Sequence, residues 1–332
     1  MSRRRRRPSM IRRLIALVLI LALVGGGAAL WVSRDWWGEG PLQKPASIQV
    51  KKGDTLASAA RALEKAGAIR STTGFLRFAR RFGSQDPVRA GEFEIPARAS
   101  GAEILDLLQH GKPVQHLVTI PEGMPSILVQ ERLMAEPQLT GTIAVPAEGS
   151  ILPNSYSFEA GEPRAAVLAR MQAAMREALD SAWAARKPTT VVTSKRDALI
   201  LASIVEKETA VASERPMVAA VYSNRIREGM KLQADPTVIY PITQGKPLGR
   251  RIRLSELRAV NGYNTYASAG LPEGPIANPS KAAIEAVLDP AKSPALYFVA
   301  DGKGGHVFAN TLAEHNANVQ RFYAIRRSRG EM

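Results

Sequence analysis

From Leu14 to Val32 the chain runs LIALVLILALVGGGAALWV, 19 positions without a charged residue. As a helix that is about enough to cross a hydrocarbon core of roughly 30 Å. Positions 33–46, SRDWWGEGPLQKPA, show no period and are rich in Gly and Pro, which reads as a linker. A short-period pattern follows. Ile48 and Val50 alternate with polar neighbours as in a half-buried strand. Gly53-Asp54 makes a turn with Asp54 or Thr55 as N-cap, and Leu56, Ala59, Ala60 and Leu63 then recur at helical spacing. Phe93 and Ile95 predict a second strand, Ser100 a cap, Ile104, Leu105 and Leu108 a helix stopped by Gly111, and Leu117, Val118 and Ile120 a third strand. Together these predict a small α+β subdomain over 47–118.

Beyond Pro121 the helical period dominates. MPSILVQERLMAE is a short helix, ILPNSYSF an extended entry, and RAAVLARMQAAMREALDSAWAARK a long amphipathic helix whose methionines are core filler. TSKRDALILASIVEKETAVASE is a further helix capped by Ser194 with Asp197 in its first turn, and SERPMVAAVYSNRIREG another that ends at Gly229. From there to Ser280 the Gly, Pro and Asn content predicts ordered loop. KAAIEAVLD is a short helix, ALYFVAD and HVFA a hairpin around GKGG, and LAEHNANVQRFYAIRR a polar closing helix. The expected class is α+β: a basic tail over 1–13, a transmembrane helix over 14–32, a linker over 33–46, the subdomain over 47–118, a mainly helical domain with a small hairpin over 119–325, and a tail over 326–332.

Composition narrows the chemistry. Of 332 residues, 45% are hydrophobic and 23% charged, which excludes wholesale disorder. There is no cysteine, which excludes disulfides, a thiol nucleophile and thiolate-bound metals. His110, His116, His306 and His315 show no ligand spacing, so no metal and no cofactor are expected. Of the net charge of +15, seven positive charges are Arg3–Arg7, Arg12 and Arg13. No recognition helix or aromatic RNA motif accompanies them, so nucleic acid is not an expected partner. Arginines before the apolar stretch and Trp31, Trp36 and Trp37 after it predict a cytoplasmic N-terminus, with the bulk of the chain outside the cytoplasm. The competing reading is a cleaved signal peptide, with Gly25–Gly27, Ala28 and Ala29 near a cut. A retained anchor is favoured, because the stretch is longer than a usual signal core and no clear A-x-A site follows it.

One helix carries candidate chemistry. In DALILASIVEKETA, Glu206 shares a stripe with Leu199, Ala202, Ser203 and Ala210, while Glu208 points about 200° away around the helix. A carboxyl on an apolar stripe loses hydration, which raises its pKa as a general acid at neutral pH requires. The bland alternative is an ion pair, with Arg170 or Arg225 as partner. A single carboxyl suffices to break a glycosidic bond if it protonates the leaving oxygen and then takes a proton from the sugar's own 6-hydroxyl, because the internal nucleophile replaces an activated water. Asp235 in LQADPTVIY is a candidate second carboxylate or else a cap. NGYNTYASAGLPEGPIANPS, with its tyrosines and asparagines, suits either a sugar-binding loop or a structural one. His306 in the hairpin reads as structural.

ASIVEKET, LQADPTVIY, GYNTYASAGLPEGPIANP and LYFVADGKGGHVF, in this order and with EGSILPNSYSF before them, resemble the endolytic murein transglycosylase family (MltG, or YceG-like) over about Ile48 to Phe322. The resemblance implies a lytic transglycosylase that cuts the MurNAc-GlcNAc β-1,4 bond within nascent peptidoglycan strands without water. Such cuts leave 1,6-anhydroMurNAc ends and limit strand length. It implies Glu206 as the catalytic residue and KKGDTL as the start of a LysM-like glycan-binding module. It also implies penicillin-binding synthases as partners, at a single-pass inner-membrane protein with a periplasmic catalytic domain. Similarity and chemistry together make Gln233, Asp235, Tyr263, Asn264 and Asn278 the expected substrate-pocket residues. Two rival readings remain: a membrane-anchored glycan-binding scaffold without activity, and a hydrolase that uses Asp235 as base.

Overall fold

The computed structural model of the chain describes residues 10–331, with the side chains of 11–13, 28–33 and 35 left aside. It is an α+β structure: twelve α-helices and three two-stranded sheets among the described residues. Two compact units divide it. One comprises residues up to His116 with Glu159–Gly161, and the other Leu117–Phe158 with everything from Glu162 onward.

The first unit begins with helix α1 (Met10–Val32), whose apolar side chains from Leu14 to Val24 are exposed. Among the described residues, no helix is long and apolar enough to cross a membrane. The arginines Arg3–Arg7 of the expected basic tail lie outside the described residues. Strand β1 (Ala46–Val50) pairs antiparallel with β2 (Gly91–Ile95), setting Ile48 opposite Phe93. The core over this pair comes from α2 (Leu56–Lys65), α3 (Thr72–Phe82) and α4 (Gly101–His110).

Thr55 caps α2 in a reciprocal box with Ser58, and Ser100 does the same for α4 with Glu103. Asp54 instead closes the turn, accepting from the Lys51 amide at 2.8 Å. Helix α3, unanticipated, starts at the Ser71 cap and buries Phe75, Phe78 and Ala79, which stand at i, i+3 and i+4. Trp36 differs from its expected place at a membrane interface. It is 2% exposed and sits 5.8 Å from the Phe75 ring and 6.2 Å from that of Phe78, as part of this core.

Strand β3 (Gln115–Thr119) pairs with β4 (Ser155–Glu159), and the Thr119 and Ser155 hydroxyls share a 2.8 Å hydrogen bond. The second unit then builds helices α5 (Ser126–Ala135), α6 (Arg164–Ala184), α7 (Lys195–Glu208) and α8 (Arg215–Arg227). Two helices occupy the stretch expected as loop: α9 (Asp235–Thr243) and the short α10 (Leu254–Arg258). Proline misled the expectation. Pro236 sits in the first turn of α9, where its missing N–H has no partner to lose and its fixed φ suits a helix. Helix α11 (Lys281–Leu288), the hairpin of β5 (Tyr297–Ala300) and β6 (His306–Ala309), and α12 (Leu312–Ser328) complete the chain.

Helix α7 is the axis of this unit. Ser194 caps it, accepting from the Asp197 amide at 3.1 Å. Its residues Ile200–Glu206 are buried without a break, so it is a central helix enclosed on all sides and not an amphipathic surface one. Met175 and Leu179 of α6, Val218 and Tyr222 of α8, and Ile284 and Val287 of α11 close over it.

Candidate active site

Glu206 lies in the last turn of α7 with its side chain 4% exposed. An ionised carboxyl there must be partnered, because a buried charge without donors is costly. Three donors meet it. Arg215 Nη2, at the start of α8, donates to Oε1 at 3.0 Å. The Ser280 amide donates to Oε2 at 2.9 Å and the Ser280 hydroxyl to the same oxygen at 2.5 Å. Ser280 is also the N-cap of α11, accepting from the Ala283 amide at 3.2 Å, so the positive end of that helix faces the carboxylate.

A turn over Pro121–Met124 closes on the same group. Gly123 has φ +67, and a Cβ there would stand 3.3 Å from Glu206 Cγ. Glycine thus answers both a left-handed backbone and a close approach. Asn278 fixes this turn. Its carbonyl accepts from the Gly123 amide at 3.0 Å, its Nδ2 donates to the Met124 carbonyl at 2.9 Å, and its Oδ1 accepts from the Ile151 amide at 3.0 Å. The residue before Gly123 on the turn, Glu122, reaches the same nitrogen as Glu206: Arg215 Nη2 donates to its Oε2 at 2.6 Å.

Glu206 is buried and its ion pair is present, although the partner is neither arginine named for it. Arg170 pairs with Glu162, and Arg225 donates to the Leu232 and Leu296 carbonyls at 2.7 Å each. The expected pocket residues separate into two kinds. Gln233 and Asp235 are exposed, and Tyr263 is half-buried with its ring 4.9 Å from that of Tyr240. Asp235 Oδ1 accepts from the Tyr266 hydroxyl at 2.6 Å. Asn264 and Asn278 are buried at 1% and 0%, and their amides are taken up by their own chain. Asn264 Nδ2 donates to the carbonyls of Glu256, Leu257 and Ala259, closing the end of α10. Sequence reasoning missed Arg215, Ser280 and Glu122. The S-x-x-A start of α11 signals a cap at Ser280, but nothing local says that the cap also serves a carboxylate.

Two further carboxyls flank the site. Glu208 has its Oε1 sealed from solvent without a hydrogen-bond partner, and the Tyr222 hydroxyl donates to its carboxyl. Burial pushes its pKa up to about 7 and the Asp235 charge adds to this, against the Tyr222 hydrogen bond and the Arg225 charge. A raised carboxyl pKa means the folded state holds a proton that the unfolded chain has released. Its contribution is therefore full below pH 4.5 and lost as pH rises toward 7. Glu208→Gln is expected to remove that fall, on the order of 3 kcal/mol between pH 4.5 and 7. Denaturant titrations of both proteins across that range check it, and parallel curves would refute it.

Glu214 behaves oppositely. Burial raises its pKa, but hydrogen bonds from the His306 ring and amide and from Thr209 hold it below the usual range. His306 Nδ1 lies 2.7 Å from its Oε2, tying the β5–β6 hairpin to the residue before Arg215.

The family model described as YceG-like matches residues 48–321 of the chain. A protein of Streptococcus pneumoniae serotype 2 named endolytic murein transglycosylase is 28% identical over 326 residues, covering 83% of this chain and 58% of that protein. One of Bacillus subtilis with the same name is 33% identical over 180 residues, covering 53% of this chain and 48% of its own. The chain thus spans about half the length of the curated relatives it matches. A crystal structure of a YceG-like protein from Listeria monocytogenes is similar with a TM-score of 0.51 at 25% identity, over 82% of this chain and 98% of that one.

Proposed function

Because the chain belongs to the YceG-like family, we propose that it is an endolytic lytic transglycosylase of peptidoglycan with Glu206 as its single acid and base. The observation that carries this reading is a carboxyl held dry in the last turn of α7, fixed by Arg215 and Ser280. The protonated acid gives its proton to the glycosidic oxygen as the C1–O4 bond breaks. The carboxylate left behind then takes the proton of the same sugar's 6-hydroxyl, whose oxygen attacks C1 and closes the anhydro ring. The proton count returns to its start and no water enters.

A second reading, hydrolysis by an inverting route with Asp235 as base, needs an activated water between two carboxyl groups roughly 6.5–9.5 Å apart, and Asp235 Oδ1 already accepts from the Tyr266 hydroxyl at 2.6 Å. Glu122 and Glu206 accept from one nitrogen, at 2.6 and 3.0 Å. Gln233, Asp235 and Tyr263 are the exposed or half-exposed groups that we assign to the sugar rings. Asn264 and Asn278 act on binding through the loops they hold.

The reading extends to the first unit, whose β1–α2 segment carries the LysM-like KKGDTL turn and is assigned to glycan. It also extends to α1, assigned as the anchor of a periplasmic enzyme that works beside peptidoglycan synthases. The support for the anchor is the uncharged run Leu14–Val32 behind a basic tail. One experiment tests both parts. Membranes carrying the full chain are extracted at alkaline pH, and the retained protein is given uncrosslinked glycan strands, with products analysed by mass spectrometry. Anhydro ends from a membrane-retained protein are expected. Reducing ends would mean a hydrolase, unchanged strands a glycan-binding scaffold, and release from the membrane would remove the anchor.

A further inference from the structure

We propose that Glu122 is a positioning residue of this reaction: it competes for Arg215, and so lets Glu206 carry the proton it must donate. The proposal rests on reading Glu206 as the acid and base. As described, Glu206 is held as a carboxylate, with a guanidinium on Oε1 and two donors on Oε2. An acid in that state has no proton to give. Protonating a lone Glu206–Arg215 pair would strand a buried cation, since the Arg215 side chain is only 8% exposed.

Glu122 changes the charge count. Two carboxylates and one guanidinium sum to a single negative charge, so one proton brings the group to neutrality. The same Nη2 serves both acceptors, at 2.6 Å to Glu122 and 3.0 Å to Glu206, and Arg215 Nε is buried without a hydrogen-bond partner. No second guanidinium contact holds Arg215 to Glu206. Exposure decides where the charge settles. The Glu122 side chain is 53% exposed against 4% for Glu206, so charge left on Glu122 is solvated by water while charge left on Glu206 is not.

Position decides which oxygen acts. Oε2 is pinned by both groups of Ser280, and Oε1 is freed once Arg215 moves wholly to Glu122. The other charges around Glu206 are engaged elsewhere. Lys207 donates to the Gly123 carbonyl at 3.4 Å, and Lys281 of α11 pairs with Glu285 at 3.6 Å. Asp235 of α9 holds Tyr266, Glu208 takes the Tyr222 hydroxyl, and Glu214 before α8 holds His306.

The test uses the full chain with uncrosslinked glycan strands, measuring kcat and KM across pH for wild type, Glu122→Gln and Glu122→Asp. Glu122→Gln is expected to lose about 10- to 100-fold in kcat at pH 7. KM should stay within about threefold, and the loss should shrink as the solution is made acid, because bulk protons replace the missing charge. Glu122→Asp should restore most of the rate. A Glu122→Gln protein with wild-type kcat at every pH overturns the proposal. So does an equal loss at every pH with a raised KM, which would make Glu122 a substrate contact. A wild-type chain that forms no anhydro ends overturns the role of Glu206 and this one with it.

Discussion

Glutamine at position 206 is expected to leave a folded protein that no longer cuts glycan. In the proposed reaction both proton transfers run through this one carboxyl, and general acid–base groups contribute about 10²–10⁴-fold each to rate. The loss should therefore reach at least the upper part of that range. The amide keeps an oxygen for Arg215, but its nitrogen meets the two Ser280 donors, so some stability is lost while the buried helix α7 around it stays packed. Anhydro-end formation within tenfold of wild type, at an unchanged circular dichroism spectrum, would remove Glu206 from the mechanism.

Arg215→Met is expected to have the largest effect on stability. It strands the Glu206 carboxylate, 4% exposed, without its cation. Removing one partner of a buried pair costs about 3–5 kcal/mol. For a unit of this size that lowers Tm on the order of 10 °C. The companion variant distinguishes charge from shape. Arg215→Met combined with Glu206→Met replaces the pair by apolar groups of similar volume and should recover most of the loss. Thermal melts of the two single variants, the double variant and wild type measure the coupling. Equal melting of Arg215→Met and wild type would mean the pair is not the buried contact described.

Much of this was legible before any coordinates. The cap at Ser194 and the apolar run after it located α7, and the stripe of Leu199, Ala202 and Ser203 below Glu206 separated it from Glu208, because helix period and capping are local properties. The residues around that carboxyl were not legible, because they arrive from elsewhere: Ser280 lies 74 positions on, and Glu122 lies 93 positions before Arg215. Composition failed where one residue type serves two purposes. Asparagine amides bind sugar hydroxyls or backbone carbonyls equally well, and at Asn264 and Asn278 the backbone took them. Proline marks loops in general yet favours the first helical turn, which hid α9. Trp36 follows an apolar run, as an interfacial aromatic would, and only its long-range packing on Phe75 and Phe78 reveals a core residue.

The N-cap of α11 has a consequence for the order in which the site around Glu206 is completed. Two of the three donors on Glu206 belong to Ser280, and the turn that carries Glu122 is held by Asn278. A chain growing from its N-terminus has made helix α7 long before those residues exist, so it displays the glutamate without the cradle that gives it chemistry. Any product of premature termination upstream of that cap is left in the same condition. A site built this way is incomplete until Ser280 has joined the fold.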